Sequence, residues 1–134
     1  MSEPYDVIIV GGGPGGYVGA IRAAQLGLKV ACVEKRGNLG GTCLNVGCIP
    51  SKALLHVGRV VAEVREMQDW GVHFSAPKID IGAVRDRKEK VIDALTGGLA
   101  QLAKRRNVRV VQGQGMFTAS STLEVIQKDA GSQT

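Results

Sequence analysis

The sequence predicts an α/β fold with a parallel sheet, and three observations carry that expectation. Val7-Ile8-Ile9-Val10 is an unbroken apolar run bounded by Asp6 and Gly11, which suits a strand buried on both faces. Gly11, Gly13 and Gly16 follow at once as G-x-G-x-x-G and open a segment of helical period. A second short strand pattern, Val30-Ala31-Cys32-Val33, comes next. Strand, glycine turn, helix and strand make a βαβ unit, with a crossover expected to be right-handed.

The elements follow in order. The first helix is expected over residues 15–26, with Val18, Ile21, Ala24 and Leu26 facing inward and Ala20 and Ala23 allowing close packing. Gly27 is placed to end it. The second strand runs from Lys29 to Glu34. Residues 37–48 read as a loop and functional turn. A helix is expected over about 49–67, with Leu54, Leu55, Val57, Val60, Val61 and Val64 apolar. Residues 68–79 are irregular and contain Pro77. A long helix over about 80–105 carries Ile81, Val84, Val91, Leu95, Leu99 and Leu102, and Gly97-Gly98 weakens it locally. Val108–Gln112 reads as a third strand, Gly113-Gln114-Gly115 as a turn, and Met116-Phe117 and Leu123–Gln127 as extended segments. Lys128–Gly131 resembles a hairpin turn with no returning strand after it, so the chain is expected to be part of a longer one.

Bulk properties narrow the function classes. The 134 residues suffice for about one domain. The formal charge is +5, but the basic residues of 85–109 are dispersed among Asp86, Glu89 and Asp93 without interleaved aromatics. That is a solvated helix face rather than a nucleic-acid surface. No segment approaches the roughly 20 apolar residues of a membrane span. The N-terminus lacks the pattern of a signal peptide. Three cysteines do not make a secreted disulfide framework, so a cytoplasmic setting is expected.

Each glycine of the motif answers a physical demand. Gly11 permits the tight turn, Gly13 lets a pyrophosphate approach the backbone, and Gly16 lets helix and strand pack closely. The helix N-terminus offers unpaired N–H groups and a favourable dipole to the phosphates. Glu34, eighteen residues after Gly16, ends the second strand and can accept hydrogen bonds from ribose hydroxyls. Its charge disfavours a 2′-phosphate there. The pattern predicts a dinucleotide and does not separate FAD from NAD.

Cys43 and Cys48 lie just downstream, in Gly40-Gly41-Thr42-Cys43-Leu44-Asn45-Val46-Gly47-Cys48-Ile49-Pro50-Ser51-Lys52. On a regular helix their Cα atoms would be about 8–9 Å apart, beyond the roughly 7 Å that a disulfide spans. A bridge between them therefore needs a broken helix, and Asn45 and Gly47 suit a distorted turn. Pro50 fits the first turn of the helix that follows. A cysteine near a helix N-terminus has its thiolate stabilised and is reactive. Three readings fit the pair: a redox disulfide, which the adjacent cofactor motif favours, a zinc site drawing on His56, His73 and Cys32, or two unrelated buried thiols. Cys32, mid-strand among Val30, Ala31 and Val33, reads as a small core residue.

Gly11 to Gly16, Glu34 and the run from Gly40 to Lys52 together resemble the pyridine nucleotide-disulfide oxidoreductases, over essentially the whole chain. The likeness is nearest to the branch that oxidises dihydrolipoamide. Mercuric reductases and glutathione reductases are the alternatives, the latter usually having Lys-Lys where this chain has Ser51-Lys52; a non-catalytic FAD-binding piece is another. The resemblance implies a Rossmann-like FAD-binding domain, incomplete here, with a small antiparallel β-meander. Residues 1–134 would be its N-terminal part, and the NAD and dimerisation domains would lie outside the chain.

It further implies that FAD is held by Gly11, Gly13, Pro14, Gly15, Gly16, Glu34, Lys35, Gly40, Gly41, Thr42, Cys43, Cys48, Lys52 and Gly115. Cys48 would lie beside the flavin ring as a charge-transfer thiolate, and Cys43 would exchange with the substrate disulfide. Lys52 would favour the reduced, anionic ring, and the Gly115 backbone would meet the adenine. NAD would bind elsewhere in the parent. Implied partners are dihydrolipoamide on a lipoyl domain, a second subunit and a 2-oxo acid dehydrogenase complex, in the cytoplasm or the mitochondrial matrix. No metal, nucleic acid or membrane is expected.

Overall fold

The computed structural model describes residues 3–127, so the turn expected at Lys128–Gly131 lies outside the described residues. Strand β1 (Val7–Val10), helix α1 (Pro14–Gln25) and strand β2 (Val30–Glu34) form the βαβ unit. A short helix α2 (Gly41–Val46), a long helix α3 (Cys48–Glu66), a 3-10 turn at Met67–Trp70 and helix α4 (Ile81–Arg105) follow. Strand β3 (Arg109–Gln112) returns to the sheet, and β4 (Gln114–Ala119) and β5 (Thr122–Ile126) form an antiparallel hairpin. The parallel sheet has the order β1-β2-β3, with Val7 opposite Val30 and Ala31 opposite Arg109. Three parallel strands, crossover helices and a small antiparallel sheet make the Rossmann-like α/β architecture that the sequence predicts.

Glycine and asparagine set the two turns that return helices to the sheet. After α1, Gly27 adopts φ +87°, its N–H donates to the Ala24 carbonyl, and the Leu28 N–H donates to Ala23. After α4, Asn107 takes the same role at φ +56°, with Val108 donating to Ala103 at 2.9 Å. Both are Schellman closures, in which a left-handed residue satisfies the last carbonyls. Asp80 caps the other end of α4, its carboxylate accepting from the Ala83 N–H at 3.0 Å.

The core lies between the sheet and the helices and contains Ala20, Val30, Cys32, Leu39, Ala103 and Val108. Central β2 is buried along its whole length. The two-sided burial expected for β1 is not found. Val7 and Ile9 pack against the core, whereas Ile8 and Val10 are 40% and 50% exposed. Ile9 lies against Gly16 and Gly19 of α1, and on the other face Gly115 of the hairpin approaches Val10.

Helix faces also differ from the expectation. On α1, Val18 and Leu26 point to solvent, and Tyr17, Ala20, Ala23 and Ala24 face the core. Gly16 sits against the backbone of Gly11 and fixes that rotation. On α3, Pro50 is buried and Val57, Val61 and Val64 are half-buried, while Leu54, Leu55 and Val60 are exposed. On α4 the buried stripe is Ile92, Thr96 and Ala103, with Leu99 packed against the core, and Ile81 and Leu95 are exposed. Thr96 enters that stripe because its hydroxyl donates to the Ile92 carbonyl at 3.0 Å. The turn expected at 113–115 contracts to Gly113, and Gln114 and Gly115 already belong to β4.

Helix α4 runs unbroken through Gly97 and Gly98, and a Cβ built on either meets nothing within 4 Å. Gly97→Ala and Gly98→Ala are each expected to stabilise the fold by about 0.5–1 kcal/mol. Chemical denaturation checks this through a raised midpoint at unchanged slope.

Candidate functional site

The end of β1, the start of α1 and the end of β2 build the first half of the site. Gly11 takes φ +99° and its N–H donates to the Val33 carbonyl at 2.8 Å, which turns the chain off the sheet. Gly13 occupies the N-cap of α1 without a side-chain cap, and Pro14 follows at the first helical position. The first turn thus keeps N–H groups available to an anion. A Cβ on Gly16 would lie 1.8 Å from the Gly11 carbonyl oxygen, so this position accepts only glycine.

Glu34 is 5% exposed and organises the loop from inside. Its Oε2 accepts from the Gly12 N–H at 2.7 Å and its Oε1 from the Arg36 N–H at 2.8 Å. A carboxylate has about four acceptor positions, so lone pairs remain for ribose hydroxyls.

The second half is the stretch read as a loop. It contains helix α2, so residues 37–48 are not irregular throughout. Gly40 enters at φ +116° and donates its N–H to the Gly12 carbonyl at 2.7 Å. Gly41 follows at φ +58°, where a Cβ would stand 2.6 Å from the Gly13 Cα. The two glycine segments touch, and only residues without side chains allow it. Leu44 is buried beneath α2, and Asn45 Nδ2 donates to the Gly41 carbonyl at 2.9 Å.

A cleft of about 490 Å³ lies between these parts. Gly11, Gly13, Glu34, Lys35, Gly41, Thr42 and Gly115 of the expected set line it. Pro14 and Gly15 stand beside it in the first turn of α1, and Gly16 and Gly40 act behind it by packing. Gly12, Arg36, Gly113 and Gln114 belong to the site or its frame and are not in the expected set. Gly113, at φ +154°, has no room for a Cβ, which would approach Val125 and the Ile126 carbonyl to within 2.7 Å. Its place just after a predicted strand was the available signal.

Cys43, Cys48 and Lys52 are not among the residues lining the cleft, but Cys43 directly follows Thr42, which is. Gly47, at φ −122° and ψ −110°, breaks the helix between the cysteines, as the geometry of a close pair requires. Cys48 then opens α3, and Pro50 lies in its first turn. Both cysteines are free thiols, Cys43 half-buried and Cys48 exposed. A hydrogen bond with the Cys48 side chain holds the Cys43 thiol above the ordinary cysteine range, with burial adding to the rise. The Cys48 N–H and the Lys52 charge act in the opposite direction. Burial raises the Cys32 thiol, and Glu34 adds to it; this cysteine is fully buried in the core. Among the described residues, no three of His, Cys, Asp and Glu converge as metal ligands, and no helix is long and apolar enough to cross a membrane.

A raised thiol loses its proton at higher pH, so its thiolate is scarce at neutrality. Site-resolved alkylation of the reduced protein is expected to show Cys43 reacting with a pH profile displaced upward from an ordinary thiol. Cys48→Ala removes the largest cause and is expected to move that profile to lower pH. An unmoved profile would contradict the thiol–thiol contact. Cys32 should react only on unfolding.

Comparison with known proteins accords with this geometry. The family model described as "Pyridine nucleotide-disulphide oxidoreductase" matches residues 5–132. The chain is 55% identical over 120 residues to a dihydrolipoyl dehydrogenase of Vibrio cholerae, covering 90% of this chain and 25% of that protein. It is 48% identical over 134 residues to the mitochondrial dihydrolipoyl dehydrogenase of Dictyostelium discoideum, covering 99% and 28%. A leghemoglobin reductase of Vigna unguiculata is 47% identical over 131 residues, covering 97% and 25%. The chain thus spans about a quarter of the length of these curated relatives. A match over nearly its whole length means that this chain belongs to the pyridine nucleotide-disulphide oxidoreductase family.

Proposed function

We propose that this chain is the N-terminal, FAD-binding part of a flavoprotein that oxidises dihydrolipoamide with NAD⁺ as final acceptor. One observation carries the reading: a close pair of thiols, Cys43 and Cys48, directly follows the residue that lines a glycine-cradled dinucleotide cleft. The residues present fit the dinucleotide. Gly11, Gly13 and Gly41 hold the cleft open where any Cβ would be strained or fill the approach of a pyrophosphate. Glu34 suits a ribose, and the Gly115 backbone faces the same cleft from β4. FAD, when bound, supplies the two-electron acceptor that returns the thiol pair to its disulfide.

The chain's own residues then do thiol–disulfide exchange. In the oxidised protein, one thiolate of dihydrolipoamide attacks Cys43 Sγ, and the Cys43–Cys48 bond breaks to release Cys48 as thiolate. The second substrate thiolate attacks its own sulfur in the mixed disulfide. That closes lipoamide and releases Cys43. The substrate has lost two electrons and two protons, and the cysteine pair has gained the electrons. Lys52, one turn beyond Cys48 on α3, lowers the cost of negative charge at Cys43. The base that takes the substrate protons would come from a second subunit, and the NAD⁺ site would lie in the remaining length of the parent protein. A lipoyl domain of a 2-oxo acid dehydrogenase complex would deliver the substrate.

The complete polypeptide is expected to purify with bound FAD and to reduce NAD⁺ in the presence of dihydrolipoamide. Absence of both would overturn the reading. The 134-residue chain alone is expected to bind FAD weakly and to turn over nothing, because Ile8, Val10 and Phe117 leave one side of the sheet exposed. Nanomolar binding or turnover by this chain would contradict that.

A further inference from the structure

Arg36 is an exposed residue just past β2, yet it ties two halves of the site together. Its N–H donates to Glu34 Oε1 at 2.8 Å, and its Nη1 donates to Thr42 Oγ1 at 2.9 Å. Glu34 in turn holds the glycine loop through Gly12. Thr42 lines the cleft and directly precedes Cys43. One residue therefore spans from the acid of the cleft to the start of the thiol-bearing helix.

Helix α2 needs such a tie. It has six residues, far fewer than the roughly 12–15 at which an isolated helix becomes even marginal. Its N-cap, Gly40, offers no side-chain cap. Its other ties include the Gly40–Gly12 backbone bond, the Asn45 side-chain bonds to the Gly41 and Leu39 carbonyls, buried Leu44 and packing against α3 and α4. The Arg36 bond is a cross-strap from the sheet to its first turn.

The bond also sets a direction. A threonine hydroxyl has one proton and two lone pairs. Arg36 donates into a lone pair, which leaves the Thr42 proton to be given to an acceptor in the cleft. An anionic phosphate oxygen is the acceptor class that such a donor serves best.

We infer that Arg36 is a positioning residue: through its bond to Thr42 it holds the start of α2 in place and turns the Thr42 hydroxyl into a donor toward a phosphate oxygen of the bound dinucleotide. This rests on the flavin-binding reading above. It assigns Arg36 an action through Thr42 rather than a direct hold on the anion.

A mutant cycle on FAD affinity in the complete, flavin-stripped polypeptide tests it. Arg36→Met is expected to weaken FAD binding by roughly 2- to 10-fold, the worth of one net hydrogen bond. The same loss is expected in a Thr42→Ser background, which keeps the hydroxyl. In a Thr42→Val background Arg36→Met should cost nothing further, because the bond it serves is already gone. An equal cost in all three backgrounds would mean that Arg36 acts directly on the ligand, and would overturn the inference while leaving the flavin reading intact. No cost in any background would overturn it likewise. Wild-type protein that binds no FAD would overturn both. A thermal melt of each variant without FAD accompanies the cycle, and an unfolded Arg36→Met would itself contradict an exposed cross-strap.

Discussion

Cys43→Ser in the complete polypeptide is expected to abolish dihydrolipoamide oxidation, lowering turnover by roughly 10³-fold or more, as loss of a covalent nucleophile does. Neither a disulfide nor a mixed disulfide on Cys43 can form once that sulfur is gone. Cys48→Ser should be equally inactive, because Cys43 then has no disulfide bond for the substrate thiolate to break. The two variants separate by spectrum. With Cys48 kept as thiolate beside the flavin, Cys43→Ser should retain a long-wavelength absorbance band, and Cys48→Ser should lose it. The reverse pattern would exchange the two roles.

Gly16→Ala is expected to be the most damaging single methyl group in the nucleotide half of the site. Its Cβ would stand 1.8 Å from the Gly11 carbonyl oxygen, a backbone atom that cannot rotate away. Helix α1 must lift from β1, and Ala20 must leave the core with it. Overpacking of this kind costs about 3 kcal/mol or more, a loss of several degrees in Tm, and FAD binding should fall with the loop. Gly15→Ala is the control. Nothing lies within 4 Å of that Cβ, so its stability should stay within about 1 kcal/mol of wild type. Parallel thermal melts of the two variants decide the matter, and an equally mild Gly16→Ala would contradict the close helix–strand packing.

What could be read from the residues divides along physical lines. The glycine motif was legible because each glycine answers a local steric demand, and Gly16 meets it in the structure as expected. The break between Cys43 and Cys48 was legible because helix geometry forbids a close pair at that spacing, and Gly47 supplies it. Helix α2 was not legible. Gly41, Thr42 and Asn45 are poor helix formers, and the helix stands on tertiary ties to Gly12, Leu39 and Arg36. The burial of β1 was misread because a run such as Val7–Val10 has no period to show which side is covered. On α1, Ala20, Ala23 and Ala24 meet the core as expected, but Val18 and Leu26 were misplaced, because small residues and not the largest apolar ones mark where helix meets sheet. Arg36 carried no local signal at all among 17 lysines and arginines; only the fold brings it to Thr42.

The central claim is that Cys43 and Cys48 are one redox pair serving dihydrolipoamide. Anaerobic titration of the oxidised, complete polypeptide with dihydrolipoamide, followed by alkylation and peptide mass mapping, addresses it directly. The expected result is a linked Cys43–Cys48 peptide before substrate, both residues alkylated after about one equivalent, and Cys32 untouched throughout. A protein whose Cys43 and Cys48 are already free before substrate, or stay linked after it, would contradict the account.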